Sequence, residues 1–74
     1  MKSIDYYMNL DYSVIVTKVD DAGDIFYSAK IKELPGFEIF GDSFDDIFSE
    51  LDDAKRSWFE AAISLNRRID EPDH

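Results

Sequence analysis

The sequence predicts an α+β fold in which a three-stranded antiparallel sheet carries one long helix on one of its faces. Three observations lead to this prediction: two alternating apolar–polar stretches flank a polar turn, a third short stretch follows Leu34-Pro35-Gly36, and a helical apolar stripe runs through the second half. Because the chain has 74 residues, we expect one small domain over 1–74 with an N-terminal segment 1–10 and an extended tail 69–74.

The first two predicted strands form a hairpin. Asp11 to Val19 carries apolar residues on both of its alternating faces, which is typical of a central strand. Residues 20–24 read Asp-Asp-Ala-Gly-Asp and predict a five-residue turn, after which Ile25 to Lys32 predicts the second strand. Pro35-Gly36 predicts a type II turn, and Phe37 to Phe40 predicts a short third strand that ends before Gly41.

One face of this sheet has no predicted helix to cover it. That face carries Ile15, Val19 and Phe26, and the predicted order β-β-β-α supplies a helix for the other face alone. Since contiguous exposed apolar surface usually marks an interaction site, we expect this face to be buried by another copy of the chain or by a partner.

A long helix is predicted after Gly41. Ser43 and Asp46 have the spacing of an N-terminal capping box, and Asn66 suits the left-handed conformation that ends many helices. Apolar residues recur every three or four positions and predict one buried stripe: Phe44, Ile47, Phe48, Leu51, Ala54, Trp58, Ala62 and Leu65. Phe59 and Ile63 lie beside it, either as the edge of the core, which is the favoured interpretation, or as contacts with a second copy or partner.

The charge balance restricts the class of partner. With 8 basic and 17 acidic residues the formal net charge is −9, so direct binding of nucleic acid is not expected and a basic protein partner is favoured. The chain has no cysteine, which excludes disulfides and thiolate metal sites. It also shows no signal peptide and no apolar run long enough for a membrane span, so a cytoplasmic location without membrane contact is expected.

The acidic residues are the candidate partner-binding residues. They lie at the start of the helix and in the hairpin turn: Asp42, Asp45, Asp46, Glu50 and Asp53, then Asp20 and Asp21. A solvated face that complements the helix dipole is the favoured interpretation of the helix cluster, and a partner-binding patch is the alternative. A metal site is not expected, because the calcium-binding EF-hand spacing is missing. The hairpin acids are interpreted first as turn residues.

Catalysis is not expected, and no cofactor is implied. A two-metal nuclease needs carboxylates inside its central strands, whereas the first predicted strand has only Asp11, at its very start. His74 is the one histidine and has no serine or cysteine arranged with it as a triad.

Five short motifs, in order and spacing, carry a family resemblance. They are Tyr12-Ser13-Val14-Ile15-Val16, Ile31-Lys32-Glu33-Leu34-Pro35-Gly36, Gly41-Asp42-Ser43-Phe44-Asp45-Asp46, Asp53-Ala54-Lys55-Arg56-Ser57-Trp58, and Ile69-Asp70-Glu71-Pro72. Together they resemble the HicB family of type II antitoxins. The chain departs from the family pattern at Phe37, Ile47, Asp70 and Asn66.

The resemblance implies a partial RNase H-like fold without catalytic carboxylates. It also implies binding to a small basic toxin of the HicA type, an mRNA-cleaving ribonuclease whose RNA-binding face the antitoxin covers, and assembly as a dimer or tetramer. Longer members append a DNA-binding module that is not expected in this chain. The alternative function is that of an orphan relative, a structural homo-oligomer that has no toxin partner.

Overall fold

The computed structural model describes residues 2–72, so Met1, the end of the predicted tail and His74 lie outside the described residues. The elements in order are α1 (Ile4–Met8), β1 (Val14–Asp21), β2 (Asp24–Ile31), β3 (Glu38–Gly41) and α2 (Phe44–Ser64). The three strands form one antiparallel sheet in the order β1-β2-β3, and α2 contacts β2, β3 and α1. The predicted α+β layout of a three-stranded sheet and a long helix is confirmed.

The β1–β2 hairpin has a shorter loop than the sequence predicted. Asp21 pairs with Asp24, which leaves only Ala22 and Gly23 between the strands. Their φ angles of 53° and 94° are those of a type I′ turn, the two-residue turn whose twist matches that of the strands. The predicted five-residue turn is therefore wrong, because its acidic residues belong to the strand ends. Asp20 supports the loop by accepting a hydrogen bond from the Gly23 amide at 3.2 Å.

The strand order corrects a second prediction, since β1 lies at an edge of the sheet and β2 is central. The turn after β2 explains the order. Gly36 has a φ of 80° and the Phe37 amide donates to the Leu34 carbonyl at 3.0 Å, which confirms the type II turn. This short connection returns the chain beside β2, so β3 occupies the position next to it.

Aromatic rings form the centre of the core. Phe59 is completely buried, and its ring centroid lies 5.4 Å from that of Tyr7 and 5.8 Å from that of Tyr12. Tyr7 comes from α1, a helix that the sequence analysis did not predict and that Ser3 caps by accepting a hydrogen bond from the Tyr6 amide. A role for Phe59 as a contact with a partner or second copy is thus wrong, because α1 and the segment after it enclose the ring within one chain.

The buried face of α2 is rotated relative to the predicted stripe. Ile47 and Ala62 are buried as predicted and Trp58 is partly buried, with its Nε1 donating to the Pro35 carbonyl at 3.1 Å. By contrast, the side chains of Phe44, Phe48 and Leu65 are each more than half exposed. The cause is α1, which packs on the flank of α2 that carries Phe59 and half-buried Ile63, and so moves the centre of the apolar face toward that flank.

The end of α2 and the segment after it are held to the rest of the domain. Asn66 has a φ of 55°, as its expected role at the helix end requires, and the Arg67 amide donates to the Ala62 carbonyl at 2.8 Å. Ile69 packs against the core, and the Tyr12 hydroxyl donates to the Asp70 carbonyl at 2.6 Å. Burial raises the pKa of this Tyr12 hydroxyl to about 12.

The two ends of the described chain meet in a cluster that we call the terminal clasp, made by Lys2, Tyr6 and Glu71. The Lys2 ammonium lies 2.6 Å from one Glu71 carboxylate oxygen, and the Tyr6 hydroxyl donates to the other at 2.7 Å. These two hydrogen bonds lower the pKa of Glu71 below its usual value, and the bond to Glu71 raises the pKa of Lys2.

Candidate protein-binding surface

A surface groove of about 440 Å³ opens where β3 ends and α2 begins. We call it the aromatic–acidic groove, because two phenyl rings and three carboxylates line it. Its lining residues are Phe26, Phe40, Gly41, Asp42, Asp46 and Glu50.

The groove exists because β2 continues past the end of β3. The last β2–β3 pair joins Tyr27 to Gly41, so Phe26 is the next residue of β2 and has no partner on β3. Gly41 in turn permits a close approach between β3 and the first turn of α2. A Cβ on Gly41 would lie 3.0 Å from the Asp46 Cβ and 3.3 Å from the Ile47 amide nitrogen, which means that any side chain here would push the helix away from the strand.

The start of α2 fixes the direction of the carboxylates. Ser43 is the N-cap, with extended backbone, and its hydroxyl accepts a hydrogen bond from the Asp46 amide at 3.2 Å. This is the Ser43 half of the predicted capping box. Asp46 and Glu50 are one helical turn apart and therefore lie on the same face of α2, next to the groove.

The two phenyl rings give the groove an apolar wall. Phe26 and Phe40 contact each other edge to face, with ring centroids 6.0 Å apart and an angle of 63° between the ring planes. The Phe40 side chain is 56% exposed. Both residues lie on the sheet face opposite to α2, so the groove is continuous with the face that also carries Ile15 and Val19.

The carboxylates of the groove are available to an external partner. Within residues 2–72, ion pairs join Lys2 to Glu71, Lys30 to Glu38, Arg56 to Asp5, and Arg68 to Asp70, and none of them involves a groove residue. Nor do three or more acidic or histidine side chains of that range converge as metal ligands would. Carboxylates without an ion pair in this range, beside the exposed Phe40 ring and the half-buried Phe26 ring, suit a cationic side chain. The carboxylates would bind it by charge and the Phe40 ring by cation–π contact.

The structure brings together four of the ten candidate residues: Phe26, Asp42, Asp46 and Glu50. Asp45 and Asp53 are exposed on α2 but do not line the groove. Asp20 and Asp21 lie at the hairpin end of β1, on the other edge of the sheet, where Asp20 supports the turn. Phe59 and Ile63 belong to the core, as described above.

Phe40 is the groove residue that sequence reasoning missed. It was predicted to lie in a strand, but its position beside Phe26 depends on the register that pairs it with Ser28. The alternation of β3 was a usable signal, since it places Phe40 and Ile39 on opposite faces.

No family model matches this chain, and no curated protein or solved structure matches it either. Neither helix within residues 2–72 has the length and apolar character needed to cross a bilayer.

Proposed function

We propose that this chain is an antitoxin-like protein-binding module whose aromatic–acidic groove binds basic side chains of a small basic protein. The observation that carries the proposal is the set of three carboxylates, without an ion-pair partner among residues 2–72, beside two phenyl rings at the end of β3. The resemblance to HicB antitoxins makes a HicA-type ribonuclease the proposed partner, and the chain would neutralise it by covering its RNA-binding face.

The chemistry of an RNA-binding face fits this groove. Such a face presents Lys and Arg to phosphates, and carboxylates bind the same cations. An arginine can also stack on a phenyl ring while its guanidinium donates to carboxylates. Asp46 and Glu50 would accept these hydrogen bonds, and Phe40 would supply the exposed ring. Antitoxin and RNA would then compete for one basic surface.

The net charge of −9 adds a long-range attraction to a basic partner. Opposite potentials mainly accelerate encounter, so we expect the association rate to fall as the salt concentration rises. An association rate independent of salt would contradict a charge-led encounter. The groove contact itself is tested separately by the variants below.

A matched pair of double variants tests the groove. Asp46→Asn with Glu50→Gln removes two carboxylates that line the groove, whereas Asp45→Asn with Asp53→Asn removes two from the same helix outside it. Both change the net charge from −9 to −7. We expect the first pair to weaken binding of a co-expressed HicA-type protein about tenfold or more, and the second pair to have an effect of no more than about twofold.

Two measurements report the outcome: the dissociation constant and the inhibition of RNA cleavage by the partner. Equal losses in the two pairs would show that bulk charge, and not the groove, is responsible. If the chain binds no basic protein encoded by a neighbouring gene, the alternative is favoured, namely a homo-oligomer that has no toxin partner.

A further inference from the structure

The outer edge of β1, which pairs with no strand among residues 2–72, belongs to a strand with strong β-forming character. Five of the six residues from Val14 to Val19 are β-branched, all but Lys18, and such residues favour extended structure. In the part of the chain that the structure describes, β1 pairs with β2 on one side and with no strand on the other. A long regular edge of this kind is a template for a further strand.

The register identifies the backbone groups that this edge presents. In a hairpin with a two-residue loop, the residues that flank the loop exchange both of their hydrogen bonds, here Asp21 and Asp24. Hydrogen-bonded pairs then alternate along the ladder, so the odd-numbered residues of β1 point their N–H and C=O groups to β2. The free groups belong to the even-numbered residues: Val14, Val16, Lys18 and Asp20.

We propose that two copies of this chain pair through β1, antiparallel and related by a two-fold axis, to form a continuous six-stranded sheet. Two registers keep the edge-directed residues facing each other and overlap the strands equally, one centred on Thr17 and one centred on Lys18. The second would place Lys18 opposite Lys18, which is destabilising, so Thr17 of one copy lies opposite Thr17 of the other. Val16 and Lys18 then form hydrogen-bonded pairs across the interface, as do Val14 and Asp20. The β1 strand becomes central, which is the environment that its sequence favours on both faces.

The distribution of charge along β1 favours a second copy in this antiparallel arrangement. Charged residues occupy only the second half of the strand, from Lys18 to Asp21. With Thr17 at the axis, Lys18 faces Val16, Asp20 faces Val14, and Asp21 faces Ser13. A parallel pair in register would place each of these charges opposite itself, which is destabilising.

The same register pairs the apolar residues of the outer sheet face. Ile15, which is 55% exposed in the single chain, lies opposite Val19 of the second copy. Two such pairs flank Thr17, and cross-strand pairs of β-branched residues stabilise a sheet. The aromatic–acidic groove lies at the β3 edge, so the pairing leaves one groove accessible on each copy. This proposal does not depend on the proposed function.

Amide hydrogen exchange of the unmodified chain tests the pairing directly. We expect the amides of Val16 and Lys18 to become protected as the protein concentration rises, in parallel with dimer formation measured by sedimentation. The amides of Ile15 and Thr17 face β2 in either state and serve as internal controls whose protection follows only the stability of the fold.

A pair of variants at one position supplies the second test. Lys18→Ala and Lys18→Pro both remove the charge, but only proline removes the edge-directed N–H. We expect Lys18→Ala to remain dimeric. Lys18→Pro should raise the dimer dissociation constant about tenfold or more, since each dimer loses two hydrogen bonds, and circular dichroism checks that it is folded.

Three results would overturn the proposal. A chain that stays monomeric at millimolar concentration lacks the interface. A dimer in which the amides of Val16 and Lys18 exchange as fast as in the monomer uses another surface, such as the outer sheet face. If the alanine and proline variants raise the dimer dissociation constant equally, the contact belongs to the Lys18 side chain and not to the edge-directed N–H.

Discussion

Phe59 is the side chain on which both helices and the segment before β1 converge. Its ring contacts those of Tyr7, Tyr12 and Trp58, and none of its surface reaches solvent. Because rigid aromatic neighbours collapse poorly into a space left empty, the loss of this ring should leave most of its volume as a cavity.

We therefore expect Phe59→Ala to lower the free energy of unfolding by about 3–5 kcal/mol. Phe48→Ala is the matched control on the same helix, since Phe48 is 59% exposed, and its cost should stay below about 1 kcal/mol. Urea denaturation of both variants measures the difference. Similar losses would mean that the two rings share the core, as the predicted stripe assumed.

Phe48 was predicted in the buried stripe but is exposed, whereas Phe59 was predicted beside the stripe but is completely buried. This difference shows how far periodicity predicts the burial of single residues. Spacing by three and four identifies a helix and a broad apolar face. The centre of that face depends on what packs against it, and here the deciding residue is Tyr7 on α1. Ser3 and Asp5 carry a weak N-terminal helix signal, but a five-residue helix is too short for a periodic pattern.

At the scale of the elements, the hairpin turn holds one residue, Ala22, in a backbone conformation that its side chain disfavours. Ala22 occupies a left-handed conformation with a φ of 53°, which costs an L-residue with a Cβ roughly 1–2 kcal/mol. Asparagine tolerates this conformation and is preferred in type I′ turns. The type I′ turn therefore forms although Ala22 disfavours the left-handed conformation that the turn requires.

We expect Ala22→Asn to raise the free energy of unfolding by about 0.5–1 kcal/mol. The same substitution at Ala61, an exposed position inside α2, should lower it by roughly 0.5 kcal/mol because asparagine is a poorer helix former. Thermal unfolding distinguishes the two signs. A loss of stability at position 22 would contradict the strain assigned to the turn.

Alternation and helical periodicity predicted the kind and order of the strands and of the long helix, but not their arrangement. Alternation predicted β1 and β2, and Pro35-Gly36 predicted the turn between β2 and β3. Alternation carries no information on which strand becomes central. Here the short connections before and after β2 place it between β1 and β3. The groove was likewise predictable only in part. Its acidic residues were candidates from the sequence, but the position of Phe40 beside them depends on the β2–β3 register.

At the scale of the whole molecule, the terminal clasp makes the stability of the fold depend on pH. Glu71 has a lowered pKa in the folded state because Lys2 and Tyr6 donate hydrogen bonds to its charged form. Its contribution to stability is therefore present above the ordinary pKa of glutamate, and it is lost as the pH falls through the lowered pKa of the folded state.

We expect the unmodified chain to lose stability over that acidic range more steeply than Glu71→Gln does. Glu60→Gln is the control, since Glu60 is exposed on α2 and lies in no ion pair or side-chain hydrogen bond within residues 2–72. Chemical denaturation at several pH values gives the comparison. If the two variants have the same pH profile, Glu71 does not stabilise the fold through the clasp.

The enclosure of Phe59 has a consequence for synthesis of the chain on the ribosome. The rings of Tyr7 and Tyr12 are made before the three strands, but Phe59 and Ile69, against which the core closes, are made only after all three strands. A nascent chain that ends before α2 can form the β1–β2 hairpin, yet its aromatic surface stays exposed and β1 keeps an open edge. The newly made chain is thus most prone to aggregation in the interval before α2 emerges from the ribosome.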